Sequence, residues 1–232
     1  MQERLYEYIS ISVRNVLLSV LLLITCTMSA QPRGRFSFSR SRVTTVVFYD
    51  DFETRNDGTN LHGQSPWLQE INILKTNDNA GDMRVNPATS NVENIAYYNE
   101  TFDGDHYSQM VVDEITQYAW IGAAVRCQNG GGDGYIYTSD GTNCRLSRVI
   151  NGVRTDLDAT GTPFSITDIV KLKVIGYNLY CYINGALDTA IDGDGIYDDG
   201  GSGSKLDGGF PGLEGRGNST ASDMDDFECG NS

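Results

Sequence analysis

Histidine is nearly missing from these 232 residues: His62 and His106 are the only two. That leaves no material for a poly-His metal centre and little for a His-dependent triad. Cations are scarce as well, with 17 Lys and Arg against 31 Asp and Glu and a formal charge of −14. Affinity for a phosphate backbone rests on a Lys/Arg surface that displaces counterions, so nucleic acid is excluded as a partner. There is no long Ala/Glu/Lys/Leu stretch, which excludes a helical bundle or coiled coil. What the chain has in quantity is glycine (26) and tyrosine (13), with 39% hydrophobic residues. That composition favours many short strands joined by tight turns around a real core.

The single long apolar run lies at the start. Residues 1–30 read as a secretory signal peptide: Arg4 and Arg14, then VLLSVLLLI from Val16 to Ile24, then the small-residue stretch Thr25 to Ala30, with cleavage expected after Ala30. A run of nine residues is far short of the roughly 20 needed to span a bilayer, so no membrane insertion is expected once the signal is removed. A start at Met28, without export, is the alternative. Residues 31–42 carry four Arg and no acid and read as a basic flexible tail. One domain, 43–232, is expected to follow, in a secreted, extracellular protein.

From Val43 onward the text alternates strand and turn. In YAWIGAAVRC, Ile121, Ala123, Val125 and Cys127 are expected to face one way, with Trp120, Gly122, Ala124 and Arg126 facing the other. GYIYTS, CRLSRVI, DIVKLKVIG, NLYCYING and the closing DMDDFECG read as further strands, separated by turns such as NGGGDG and SDGTN. The spacing, without helical periodicity between strands, indicates an antiparallel sandwich. Asp50-Asp51-Phe52-Glu53 recurs as Asp225-Asp226-Phe227-Glu228. Paired side by side, these two segments would bury both phenylalanines and tie the chain ends into one sheet.

Several segments together, DDFETRNDGTNLHGQSPW, YYNETFDGDHYSQMVV, AAVRCQNGGGDGYIY, CRLSRVINGVRTDL, VKLKVIGYNLYCYING and FPGLEGRGNSTASDMDDFE, resemble the concanavalin A-like lectin/glucanase superfamily, in particular its laminin-G-like jelly rolls. The resemblance spans about residues 47 to 230 and implies an all-β, two-sheet antiparallel jelly-roll sandwich whose concave sheet often holds ligand. Lectins, carbohydrate-binding modules, glycoside hydrolases and polysaccharide lyases share that superfamily. Its glucanases carry a Glu-x-Asp-x-(x)-Glu run on one strand, and no such run exists here. A lyase would want a Tyr/His pair beside Arg; His106, Tyr107 and Arg126 do not fall at strand spacing. The expectation is therefore a non-catalytic module, not an enzyme.

Sugar recognition needs aromatic faces and hydrogen-bonding groups that bridge hydroxyls. Tyr180 and Tyr182 share one side of their strand, as do Tyr135 and Tyr137; with Trp120 and Arg126 these six are expected to line one glycan-binding surface. The run from Asp192 to Asp199 offers Asp192, Asp194, Asp198 and Asp199 with turn-forming glycines, a candidate Ca²⁺ loop. Four cysteines remain after cleavage, and an exported chain with an even number points to disulfides; Cys144 with Cys181 is the expected pair, both being inward on strands. Asn99-Glu100-Thr101 and Asn218-Ser219-Thr220 are glycosylation sequons. The functional expectation is a carbohydrate-binding or adhesion module with a glycan or polysaccharide partner. The alternatives are a structural subunit of a fibre, surface layer or virion, which would form a homo-oligomer through strand edges, and a polysaccharide-degrading enzyme, the last disfavoured.

Overall fold

A computed structural model describes residues 47–232, apart from 56, 62–63, 72–73, 80–81, 88–91, 101, 129–131, 201–205 and 218–221. The expected leader (1–30), the basic tail (31–42) and the second sequon lie outside the described residues, as do Thr101 of the first sequon and part of the NGGGDG turn.

The alternation read in the sequence becomes two antiparallel sheets, with no α-helix among the described residues. The first sheet runs β13 (Ala186–Leu187), β12 (Asn178–Ile183), β11 (Ile169–Ile175), β6 (His106–Glu114), β16 (Asp223–Asn231), β4 (Asp82–Pro87), β3 (Leu74–Asn79); β1 (Val47–Asp50) also pairs with β16, and β14 (Ile196–Asp198) with β12. The second runs β10 (Val153–Gly161), β9 (Cys144–Ile150), β8 (Asp133–Ser139), β7 (Trp120–Gln128), β15 (Phe210–Arg216), β5 (Glu93–Tyr98), β2 (Trp67–Ile71). Met110, Val112, Leu172, Val174 and Leu179 from the first meet Ile121, Ala123, Val125, Leu146 and Leu213 from the second, all fully buried.

The two ends of the domain lie side by side, as the repeated acidic tetrapeptide predicts. In the β1–β16 ladder Asp50 is opposite Phe227 and Tyr49 opposite Glu228. Phe52 and Phe227 are buried on either side of Trp67, with ring centroids 5.9 and 4.6 Å from it. The Trp67 indole donates to Asp50 Oδ2 at 2.7 Å, and the Arg55 guanidinium pairs with the same oxygen, so the buried carboxylate is compensated.

One local departure changes the reading of β7. The β7–β8 register shifts between Val125 and Gln128, and Arg126 takes a positive φ of 54°. This bulge reverses the alternation. Cys127, expected to be inward, joins the apolar cluster on the outer side of the second sheet with Ile95, Tyr97, Ala124, Ile136 and Val149.

Candidate functional site

The outer side of the second sheet carries a polar constellation at the Trp120 end of β7. Ladder pairing sets Glu214 beside Gly122, Gly122 beside Thr138 and Thr138 beside Arg145. In the next row Arg216 lies between Trp120 and Glu93. Gly122 keeps the centre of this face low: a Cβ there would stand 2.0 Å from the Tyr137 carbonyl oxygen, so no side chain fits between the two strands.

Over that floor lie the arginines. From β10, Arg154 donates through Nε to Ser147 Oγ at 2.9 Å and Asp156 Oδ1 at 3.1 Å, and through Nη2 to Thr138 Oγ1 at 2.9 Å. Its Nη1 stands 3.8 Å from Glu93 Oε2, and Arg216 Nη1 stands 3.3 Å from Glu93 Oε1. Arg145 pairs with Asp156 Oδ2 at 2.7 Å. The guanidinium carbons of Arg145 and Arg154 sit 4.7 and 5.0 Å from the Trp120 ring centroid, a cation–π arrangement that fixes both forks. The result is an accessible rim above a buried floor, since the Arg145, Asp156 and Arg216 side chains keep about a third of their surface in solvent while Glu93 and Glu214 keep 5% and none.

Charge is unevenly held there. Burial, and then the adjacent Glu93 carboxyl, push the Glu214 pKa well above the usual carboxylate range, against the pull of Arg154 and Arg216. Among the described residues no N–H or hydroxyl reaches either of its oxygens. Asp156 moves the other way: burial opposes ionisation, but the Ser147 hydroxyl and the two arginines outweigh it and lower the pKa.

The six expected glycan-binding residues do not share one surface. Trp120 is on the outer face of the second sheet, and its ring organises two arginines. Tyr180 and Tyr182 are on the outer face of the first sheet, with Leu179 and Cys181 inward as expected. Tyr135 and Tyr137 do face the same way, but into the core, 1% and 0% exposed. A tyrosine can be buried there because its hydroxyl finds a partner. Tyr137 donates to Asp188 Oδ2 at 2.6 Å, and Tyr135 donates to Asp199 while accepting the Leu206 N–H at 2.9 Å. Arg126 is buried too: the bulge turns it inward, where it donates to the carbonyls of Leu206, Gly104 and Gly176. Tyr135, Tyr137 and Arg126 are thus buried and engaged within the fold, away from the surface expected of them.

The Asp192–Asp199 loop also differs from the expected calcium site. Asp194 accepts the Ile196 N–H at 2.9 Å and Asp198 the Gly200 N–H at 2.7 Å, closing turns, while Asp199 is buried against Tyr135 and Arg148. Asp192 is solvent-exposed. No three His, Cys, Asp or Glu side chains are placed to hold a metal ion among the described residues.

Cys144 and Cys181 are both inward, as their strand positions predict, but the expected bond between them is not formed: Cys127, Cys144, Cys181 and Cys229 are buried free thiols. Burial pushes the Cys144, Cys181 and Cys229 thiols up. Ellman's reagent should find none of these four reactive in the native protein and all four after denaturation. A yield of two would restore the disulfide.

Solved structures match this architecture. The carbohydrate-binding module CBM66 from Bacillus subtilis superposes with a TM-score of 0.50 at 13% identity, over 69% of this chain and 91% of its own. A Bacillus subtilis protein of galectin-like fold gives 0.52 at 11%, over 79% and 94%. The fold is the concanavalin A-like jelly roll. A Bacillus licheniformis β-glucanase matches at 0.47 and 12% identity, over 82% of this chain and 99% of its own. No family profile matches the chain, and no curated protein matches it in sequence.

Sequence reasoning set Trp120 opposite Ile121, Ala123 and Val125, as observed, but did not single out Arg145, Arg154, Arg216, Glu93 and Glu214. Alternation in CRLSRVI and in FPGLEGR carried part of that signal, because Arg145 and Ser147, and Glu214 and Arg216, fall opposite inward residues. Nothing local marks Glu93, which reaches the site only through the β5–β15 pairing.

Proposed function

We propose that the protein is a non-catalytic carbohydrate-binding module acting outside the cell, which takes its ligand at the Trp120 end of the second sheet. The observation that carries this reading is the alternation of arginine forks and carboxylates on that face. Arg145 beside Asp156, and Arg154 and Arg216 beside Glu93, present donor and acceptor together, which is the pattern that bridges vicinal hydroxyls of a sugar ring. Glu214 lies below them with neither oxygen reached by a donor among the described residues. A jelly roll shared with a carbohydrate-binding module supports the same reading.

A second reading, glycoside cleavage, draws on the Glu93 and Glu214 carboxyls on neighbouring strands. Their burial argues against it: Glu93 is 5% exposed and already paired with Arg154 and Arg216, and Glu214 is fully buried, so neither carboxyl stands open to a glycosidic bond.

Affinity electrophoresis through a panel of polysaccharides tests the proposal. At least one should retard the native protein, and Trp120→Ala, which frees both arginine forks, should cut that affinity at least about tenfold with the melting temperature kept. Retardation by none, with concentration-dependent polymerisation, would favour the structural-subunit alternative. Release of reducing ends from any retarding polymer would favour the enzyme.

A further inference from the structure

The opposite side of the molecule carries a second feature that the second-sheet reading does not use. On the outer face of the first sheet, Lys171 and Lys173 of β11 project beside Tyr182 and Tyr180 of β12 and beside Gln109 and Tyr107 of β6. A groove of about 210 Å³ lies there, lined by Gln109, Ile169, Lys171, Lys173, Tyr182 and Gly185, with no acid among its described lining residues. That is unusual in a chain with 31 acids. Six arginines, Arg55, Arg126, Arg145, Arg148, Arg154 and Arg216, each pair with a carboxylate. Neither Lys171 nor Lys173 forms an ion pair among the described residues.

The Lys171 ammonium is held in place. Lys171 Nζ sits 4.2 Å above the Tyr107 ring, whose hydroxyl donates to Glu228 Oε1 at 2.7 Å. Glu228, opposite Gln109 on β16 and engaged by the Tyr107 hydroxyl, is the acid whose charge acts on Lys171. Residues i and i+2 of a strand stand about 7 Å apart on one face, so Lys171 and Lys173 project as neighbouring cations. The net charge of −14 does not cancel them: at physiological salt the field of distant acids decays over about 8 Å, and nearby groups decide. Two unpaired cations flanked by tyrosine rings and an amide match an acidic sugar, with its anionic group on the lysines, its hydroxyls on Gln109 and its ring edge along Tyr182.

We infer that the Lys171–Lys173–Tyr182 groove on the first sheet is a separate binding site for an acidic saccharide. It stands independently of the sheet-two proposal. The test is titration calorimetry of the whole protein with tetragalacturonate, with an ι-carrageenan tetrasaccharide, with cellotetraose and with sodium sulfate. Binding of either acidic oligosaccharide at least about tenfold tighter than cellotetraose and sulfate is expected, and whichever binds identifies carboxylate or sulfate as the anion. Lys171→Gln and Lys173→Gln should each weaken it about tenfold; Lys173, which does not stack on Tyr107, covers the case in which Lys171→Gln misfolds. Equal affinity for cellotetraose, equal affinity for sulfate, no binding of either acidic sugar, or indifference to both substitutions would overturn the inference. A loss confined to Trp120→Ala would do so as well, placing the anion on the sheet-two arginines and leaving the sheet-two reading intact.

Discussion

Replacing Arg126 with alanine should lower the melting temperature by about 10 °C and leave carbohydrate affinity at the second sheet unchanged. Arg126 is 2% exposed and ties three loop carbonyls together: Leu206 through Nη1 at 2.5 Å, and Gly104 and Gly176 through Nη2. Asp105 lies 3.9 Å from Nη2, and the Tyr177 ring stands 5.9 Å from the guanidinium carbon. Removing the side chain strands three carbonyls at about 1–3 kcal/mol each, a loss on the order of 4 kcal/mol after relaxation. For a domain of this size each kilocalorie shifts the midpoint by about 2–4 °C. Arg126→Lys should recover little, because a single ammonium cannot reproduce a planar fork that spans separate loops. Differential scanning calorimetry with parallel affinity electrophoresis checks both halves. A variant that melts normally but no longer binds would return Arg126 to the ligand surface.

The same residue shows where reading the sequence succeeds and where it stops. Period-two alternation correctly sorted Ile121, Ala123 and Val125 from Trp120, Gly122 and Ala124, and Leu179 and Cys181 from Tyr180 and Tyr182, because one side of each strand faces a core. It failed one residue later, at the Arg126 bulge, since nothing in the side-chain pattern marks a backbone shift in register. It failed differently at Tyr135 and Tyr137. Their shared direction was legible, but which direction was not, because the Asp199 and Asp188 carboxylates that let them enter the core arrive from a distant loop. The repeated tetrapeptides were legible because a pair of strands can be inferred from like segments that each need a partner. The stretch holding β2 to β5 was not: β5, ENIAYY, is buried at every position and offers no alternation to read. The proposed binding face depends on that unread strand, for Glu93 enters it from β5.

His106 supplies the second large effect, visible as a dependence of stability on pH. It is fully buried at the start of β6, where Nε2 accepts the Arg126 backbone N–H at 3.0 Å and Nδ1–H donates to the Asp103 carbonyl at 3.1 Å. The ring packs near Phe102, and Arg126 and Asp105 are the charges that act on it. Burial first, and then the positive Arg126, lower its pKa from 6.5 to about 4. A histidine depressed in the folded state leaves the unfolded chain binding more protons between those two values. Its contribution is therefore complete above pH 6.5 and is lost as pH falls toward 4, amounting to about 3 kcal/mol. Glu214, whose pKa is raised, acts with the opposite sign as pH rises from the ordinary carboxylate range, so the whole-protein curve mixes the two. The comparison that isolates His106 is urea unfolding of the native protein and of His106→Gln at pH 7 and pH 4. Glutamine keeps an acceptor and a donor on a similar reach but does not titrate. The native protein should lose about 3 kcal/mol more than the variant over that interval; parallel losses would mean that the imidazole is already charged in the folded state, with its contact to the Arg126 amide broken.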